Sequence, residues 1–184
     1  MDFTLSPEID DYRQRIRGFV AEHIMPVEED SGNFDAHEMI DLEPLDRLRA
    51  LAKESGLWAF QMPKDRGGQG LNVAGMAACY EEMARSPFGP VVFNCAAPDD
   101  GTMICLNKIL PNDEQKDRWL QPIIDGSVRS AFAMTEPMPG SGSDPSAMLT
   151  TAEKKGDTWV IRGHKTFITG AQGVGFRLQV TTGG

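Results

Sequence analysis

Three short runs concentrate the side chains and turns suited to holding a ligand. They are Phe132-Ala133-Met134-Thr135-Glu136-Pro137, then Gly140-Ser141-Gly142-Ser143-Asp144, then Lys165-Thr166-Phe167-Ile168-Thr169. An extended edge over Phe132 to Thr135 can offer alternating backbone donors and acceptors to a polar-edged ligand. The hydroxyls of Thr135 and Thr169 can rotate to suit a ligand atom. Phe167 can stack against a flat ring. Gly140, Gly142 and Ser143 make a small-residue turn that lets backbone N–H groups approach a phosphate closely. Taken alone, each run has a plainer reading. A Thr-Glu-Pro near a Gly-Ser-Asp is equally an ordinary strand and turn, and an isolated phenylalanine is more often core.

The elements that must position these runs change character at Gly126. Before it, helical stripes dominate. Ser6-Pro7 is a start signal, a cap residue followed by proline at the first helical position. Ile9, Tyr12, Ile16, Phe19, Val20 and His23 then share one face, and Pro26 is expected to end the helix. Leu45, Leu48 and Ala52 predict a second helix with Gly56 beyond its end. Asn72 is expected to cap a third, with Val73, Met76, Ala77, Tyr80, Met83 and Ala84 on one face. Val91 to Leu110 predicts another, interrupted at Pro98-Asp99-Asp100-Gly101. Asn112 and Gln115 resemble a capping box ahead of Trp119, Leu120 and Ile123. After Gly126 come short runs, Ser130 to Thr135, Met148 to Glu153, Thr158 to Arg162 and Thr166 to Thr169. Lys155-Gly156-Asp157 is a hairpin-like turn. The expected division is a helical domain over 1–126 and a β domain over 127–184.

Composition narrows the classes of function. The chain has 184 residues, 40% hydrophobic and 24% charged, which are globular values. Its net charge of −9 disfavours general nucleic-acid binding. No apolar run is long enough to span a bilayer, and the acidic start Met1-Asp2-Phe3-Thr4 shows no signal or transit peptide. The three cysteines, Cys79, Cys95 and Cys105, lack metal-ligand spacing and are read as reduced residues of a cytoplasmic protein. His23 and His164 read as ordinary rim and turn residues. Glu28-Glu29-Asp30 and Asp99-Asp100 read as solvated loop charge, so no metal site is expected. Gly173-x-Gly175 is too short for a dinucleotide fingerprint.

The three runs, in this order, resemble the flavin-binding signature of the acyl-CoA dehydrogenases. Helical landmarks agree: Ser55-Gly56-Leu57-Trp58, Pro63, Gly67-Gly68-Gln69-Gly70-Leu71, Glu81-Glu82-Met83-Ala84-Arg85, Asp113-Glu114-Gln115-Lys116 and Trp119-Leu120. Ala152 to Gly163 looks like the family's linking hairpin. The resemblance implies an α+β fold, an N-terminal helical bundle followed by a partial antiparallel β-barrel-like domain. It implies FAD as cofactor and α,β-dehydrogenation of an acyl-CoA thioester, a reaction of fatty acid metabolism. It places Phe132, Met134, Thr135, Gly142, Ser143, Phe167, Ile168 and Thr169 at the flavin, and gives Ser143 a second contact with the substrate's CoA part. It also implies an electron-transfer flavoprotein as acceptor for the complete enzyme, and a homo-oligomer.

The family's catalytic base is a Glu of a later helical domain, so the resemblance assigns no catalytic residue here, and Glu136 is read as part of the loop motif. The position of Phe167 is often Trp in the family. The loop after Glu136 carries the extra residues Met138, Pro139, Gly140 and Ser141. Asn94 to Gly101 resembles a branch acting on long or unusual acyl chains. After Ala171 the match fades, although Phe176 to Gly184 still alternates like a strand. The expectation is therefore a truncated or frame-shifted product with an open strand edge, uncovered apolar helical surface, and marginal stability or association. Two alternatives remain open: a non-catalytic flavin- or acyl-CoA-binding fragment, and a related flavin oxidase on the same fold.

Overall fold

A computed structural model describes residues 4–37, 39–171 and, by their backbone, Arg177–Gln179. The chain divides into two compact units, Met1–Gly126 and Ser127–Gly184. Met1–Phe3, Gly173-x-Gly175, Phe176 and the final Gly183-Gly184 lie outside the described residues.

The first unit begins with helix α1, Pro7–Phe19, whose N-terminus is capped by the Ser6 hydroxyl accepting from the Ile9 N–H at 3.3 Å. Pro26 does not end the helical path. A π-helical turn over Val20–Ile24 leads into α2, Met25–Glu28. The wider turn restarts the hydrogen-bond pattern, so Pro26 falls in the first turn of α2, where its missing N–H costs nothing. Ile16, Phe19, Val20, Ile24 and Val27 stay buried through this change of pitch.

Helix α3 spans Leu42–Glu54 and buries Leu45, Leu48 and Ala52 as expected, and Gly56 beyond it is left-handed at φ +66°. Helix α4, Val73–Met83, starts at the expected cap, with the Asn72 Oδ1 accepting from the Gly75 N–H at 2.9 Å. Its buried face is rotated from the expected one. Gly75, Met76, Cys79, Glu82 and Met83 point inward, whereas Val73 is 87% exposed and Ala77 and Ala84 face solvent. The cause lies on α1. Arg17 donates to Glu82 through Nε at 2.9 Å, and the Arg13 Nε lies 3.5 Å from the same carboxylate. At Gly75, a Cβ would stand 3.2 Å from the Ile9 side chain, so the two helices approach at a glycine.

Short α5, Gly89–Val92, precedes α6, Asp99–Ile109. Pro98-Asp99-Asp100-Gly101 opens α6 rather than interrupting a longer helix, because acidic residues suit the positive end of a helix. Helices α7, Asp113–Trp119, and α8, Gln121–Ile124, complete the unit, with the Asn112 side chain capping α7. Buried side chains also reach carbonyls at the ends of the short helices. Trp58 donates to Ile124 O at 2.7 Å, Asn94 to Ile123 O and Ile124 O at 2.9 and 3.0 Å, and Arg49 to Val91 O at 3.1 Å. Cys79 and Cys95 are buried and free, and burial raises the Cys79 thiol to about 11.

The second unit holds strand β1, Ser130–Phe132, the hairpin β2, Thr151–Lys155, with β3, Thr158–Arg162, and β4, Arg177–Gln179. The hairpin is antiparallel, turns at Gly156-Asp157 and pairs Ala152 with Ile161. β4 pairs with β1 in parallel, so Arg177–Gln179 carries the described part of the expected last strand. These small sheets do not close. Thr166 to Thr169, expected as a strand, is a loop, because Phe167 takes φ +56°, which no strand contains.

One half-buried contact of the first unit involves a titratable pair. The Tyr80 Oη lies 2.6 Å from Cys95 O and 2.7 Å from the Asp100 Oδ2, yet a hydroxyl donates once. Both contacts are satisfied when Asp100 is the neutral acid, donating to Tyr80 while Tyr80 donates to Cys95 O. Burial pushes Asp100 above its ordinary 3.8, against the opposing pull of the Tyr80 bond. A raised value stabilises the fold below the unfolded pKa, and that contribution is lost as pH rises through the folded one. Asp100→Asn keeps the shape and a donor without the titration. The variant is expected to gain on the wild type in thermal midpoint as pH rises from 4 towards neutrality, and parallel pH profiles would contradict the neutral acid.

Candidate functional site

Glu136 sits at the centre of the second unit's polar structure, 4% exposed. Its Oε1 accepts from the Thr150 hydroxyl at 2.5 Å, the Thr150 N–H at 2.8 Å and the Lys165 Nζ at 3.0 Å. Its Oε2 accepts from the Leu149 N–H at 2.7 Å and the Ser141 N–H at 3.5 Å. The Thr150 hydroxyl, then the Leu149 N–H, with Lys165 and the Thr150 N–H behind them, hold the carboxyl far below the ordinary carboxylate range despite burial. A carboxylate so committed is a poor proton acceptor, which agrees with reading Glu136 as part of the loop motif.

That carboxylate ties the three sequence runs together. Lys165, from the third run, reaches back to Glu136 and also donates to Met134 O at 2.9 Å. The next residue continues the contact, with the Thr166 N–H donating to Thr135 O at 3.0 Å. On the other side, the Glu136 N–H donates to Gly142 O at 2.9 Å, and the two residues form an antiparallel bridge. The extra residues Met138 to Ser141 are therefore an excursion pinched at its base. A Cβ on Gly140 would stand 2.8 Å from the Glu136 Cβ, so a side chain there would displace the carboxylate.

The expected flavin residues lie in the three runs that this hub joins. Phe132 is on β1 and 44% exposed; Met134 and Thr135 follow it and are half-buried. Gly142 is left-handed at φ +59°, and Ser143 beside it is exposed. Phe167 is 90% exposed, at a φ that bulky residues avoid. Ile168 and Thr169 lie in the turn closed by the Ala171 N–H donating to Ile168 O at 3.2 Å. The structure thus joins Thr135, Gly142 and the Thr166–Phe167 segment through direct bonds to one short stretch. Asp144, the last residue of the second run, caps a turn instead, accepting from the Ser146 N–H and hydroxyl.

The donor pattern differs from an alternating edge. The Met134 and Thr135 carbonyls already accept from Lys165 and Thr166. Among the described residues, no hydrogen bond occupies the Met134 N–H, the Thr135 N–H or the Thr135 hydroxyl. The stretch presents donors, with an exposed aromatic ring on a neighbouring segment. That set fits the acceptor-bearing edge and flat face of a flavin. A hollow in the helical unit, lined by Lys53, Trp58, Arg66 and Asp125, fits an anion less well, because its cations are already engaged. Lys53 donates to Asp125 O, and Arg66 pairs with Asp113 and Asp117. Among the described residues no cluster of His, Cys, Asp and Glu could hold a metal, and no helix is long and apolar enough to cross a membrane.

Thr150 and Lys165 are the residues that reading by type missed as partners of Glu136. Lys165 stood within a recognised run, and its role needed only a buried acid to be suspected. Thr150 carried no signal, since its contact depends on where β2 begins. Because the folded pKa of Glu136 is depressed, its contribution to stability is present above the ordinary value of 4.5 and is lost as pH falls below it. Glu136→Gln is expected to melt below the wild type at pH 7, with the gap narrowing in acid. Equal melting temperatures at neutral pH would remove Glu136 from its central place.

Comparison with known proteins places the whole chain. The acyl-CoA dehydrogenase N-terminal domain matches residues 6–127, and the acyl-CoA dehydrogenase middle domain matches residues 131–182. The "Probable acyl-CoA dehydrogenase FadE2" of Mycobacterium tuberculosis is 36% identical over 177 residues, 93% of this chain and 42% of that protein. A solved structure from Mycobacterium abscessus, assigned as an acyl-CoA dehydrogenase, superposes with a TM-score of 0.82 at 35% identity. The match covers 95% of this chain and 46% of that one. An acyl-CoA dehydrogenase complexed with FAD from Bacillus anthracis gives a TM-score of 0.62 at 26% identity, over 89% of this chain and 27% of the other. The chain spans less than half the length of these relatives. With both domain families matched in order across nearly all its residues, the chain belongs to the acyl-CoA dehydrogenase family.

Proposed function

We propose that this chain supplies the FAD-binding edge, and part of the acyl-CoA site, of an enzyme that introduces an α,β double bond into an acyl-CoA thioester. One observation carries the reading: Met134 and Thr135 donors that no described residue engages, beside a strained, exposed Phe167, in a member of this family. The FAD-complexed relative from Bacillus anthracis supports the cofactor. When bound, FAD would accept the hydride leaving the substrate's β carbon.

This chain's residues then have distinct tasks. The Met134 and Thr135 N–H groups and the Thr135 and Thr169 hydroxyls hold the polar edge of the ring. Phe132 and Phe167 offer it apolar surface, and Ile168 completes the segment that carries Phe167. Gly142 and Ser143 border the diphosphate, with Ser143 also meeting the CoA part of the substrate. We assign the base that takes the α proton to no residue of this chain. The complete enzyme would act as a homo-oligomer and pass electrons to an electron-transfer flavoprotein. Free, buried cysteines support a reducing compartment such as the cytoplasm.

A second reading rests on the saturation of Glu136. With that carboxylate committed, the chain by itself would bind flavin and acyl-CoA without turning substrate over. Activity of the purified chain with an acyl-CoA and an electron acceptor would exclude this reading, and hydrogen peroxide release would indicate an oxidase.

The primary test is the visible spectrum of the chain after incubation with FAD and gel filtration. A retained, shifted flavin band is expected, and Phe167→Ala should weaken retention by up to about tenfold, the scale of one aromatic contact. A folded chain that emerges without flavin would refute the reading.

A further inference from the structure

We infer that Lys165 is a positioning residue that aims and polarises the Thr135 N–H as a donor to the flavin; this rests on the FAD-binding reading above. The Met134 carbonyl and the Thr135 N–H belong to one planar peptide group and, in the trans form found here, point in opposite directions. Lys165 holds that carbonyl with its ammonium at 2.9 Å. Fixing the carbonyl fixes the rotation of the plane, and so the direction of the N–H.

The neighbouring groups show why this N–H is left over among the described residues. The Thr135 carbonyl is taken by the Thr166 N–H, and the Glu136 N–H is spent on Gly142 O. Among the described residues nothing accepts from the Thr135 N–H, and the residue is half-buried rather than open to solvent. An ammonium on a peptide oxygen also draws electron density from the peptide nitrogen, which strengthens the N–H as a donor. Lys165 is 14% exposed at its side chain, and Glu136 is the counterion that keeps the charge there. Glu136 therefore acts at one further remove, by holding Lys165.

A donor that strengthens as negative charge develops on the flavin stabilises the reduced form more than the oxidised one. Loss of the lysine should then weaken FAD binding and lower the reduction potential of bound FAD. A purely structural lysine would leave the potential of whatever flavin remains bound unchanged.

The test uses the full 184-residue chain, 15N-labelled, as wild type, Lys165→Met and Lys165→Arg, with FAD as probe. In Lys165→Met, the amides of the helical unit should keep their positions. The Thr135 amide should shift and exchange faster, FAD retention should fall about tenfold, one charge-assisted hydrogen bond's worth, and the potential should become more negative. Lys165→Arg keeps a cationic donor and should recover all three. Should Lys165→Met unfold the β unit, Lys165→Gln, neutral and a weaker donor, carries the comparison with smaller shifts in the same direction. A wild-type Thr135 amide, FAD affinity and potential in the neutral variant would overturn the inference. If the wild type itself retains no FAD, the FAD-binding reading fails separately. The Thr135 amide then decides alone: a shift in Lys165→Met reversed in Lys165→Arg supports the positioning role, and no shift overturns it.

Discussion

A buried carboxylate cannot be left unpaired, and the arrangement of the β unit around Glu136 follows from that constraint. Its oxygens draw donors from Ser141, Leu149, Thr150 and Lys165, which belong to separate stretches of chain. A buried ion pair adds little net stability, because desolvating both charges offsets their attraction. What it adds is geometry, since few arrangements satisfy both oxygens at once. Gly163 is part of the same requirement: an added Cβ there would collide with the Thr150 side chain that serves the carboxylate.

The exposed edge depends on this interior. Lys165 couples Glu136 to the Met134 carbonyl, and the Thr166 contact follows one residue later. Phe167 comes next, in a left-handed conformation that costs energy and gains no buried packing in return. Such strain persists only where its surroundings over-determine it. The bonds on either side, to Thr135 and within the turn at Ile168, supply that restraint. The ring is thereby held open, uncovered by any described residue.

The helical unit applies the same rule to different groups. Short helices that end inside the core present their last carbonyls there, and Trp58, Asn94 and Arg49 reach across the unit to them. Asn94 does so from φ +56°, a conformation its short polar side chain tolerates better than most. Glu82 turns inward because Arg13 and Arg17 of α1 are there to meet it, and that turn decides which face of α4 is buried. Polar bookkeeping, more than apolar pattern, sets the rotation of this helix.

Features set within a turn or two of chain could be read from residue types alone. The Ser6, Asn72 and Asn112 caps, the stripe of α3, the Gly156-Asp157 turn and the order of the three runs were all legible. They depend on local hydrogen bonds and local spacing, which residue types encode directly. Only the tertiary structure decided the π turn that carries Pro26, the buried face of α4, the loop at Phe167 and the partners of Glu136. The face of α4 and the Glu136 hub depend on groups distant in sequence: Glu82 on Arg17, 65 residues away, and Glu136 on Lys165, 29 away. A side chain's type states what bonds it needs, and only the folded chain determines which distant group supplies them.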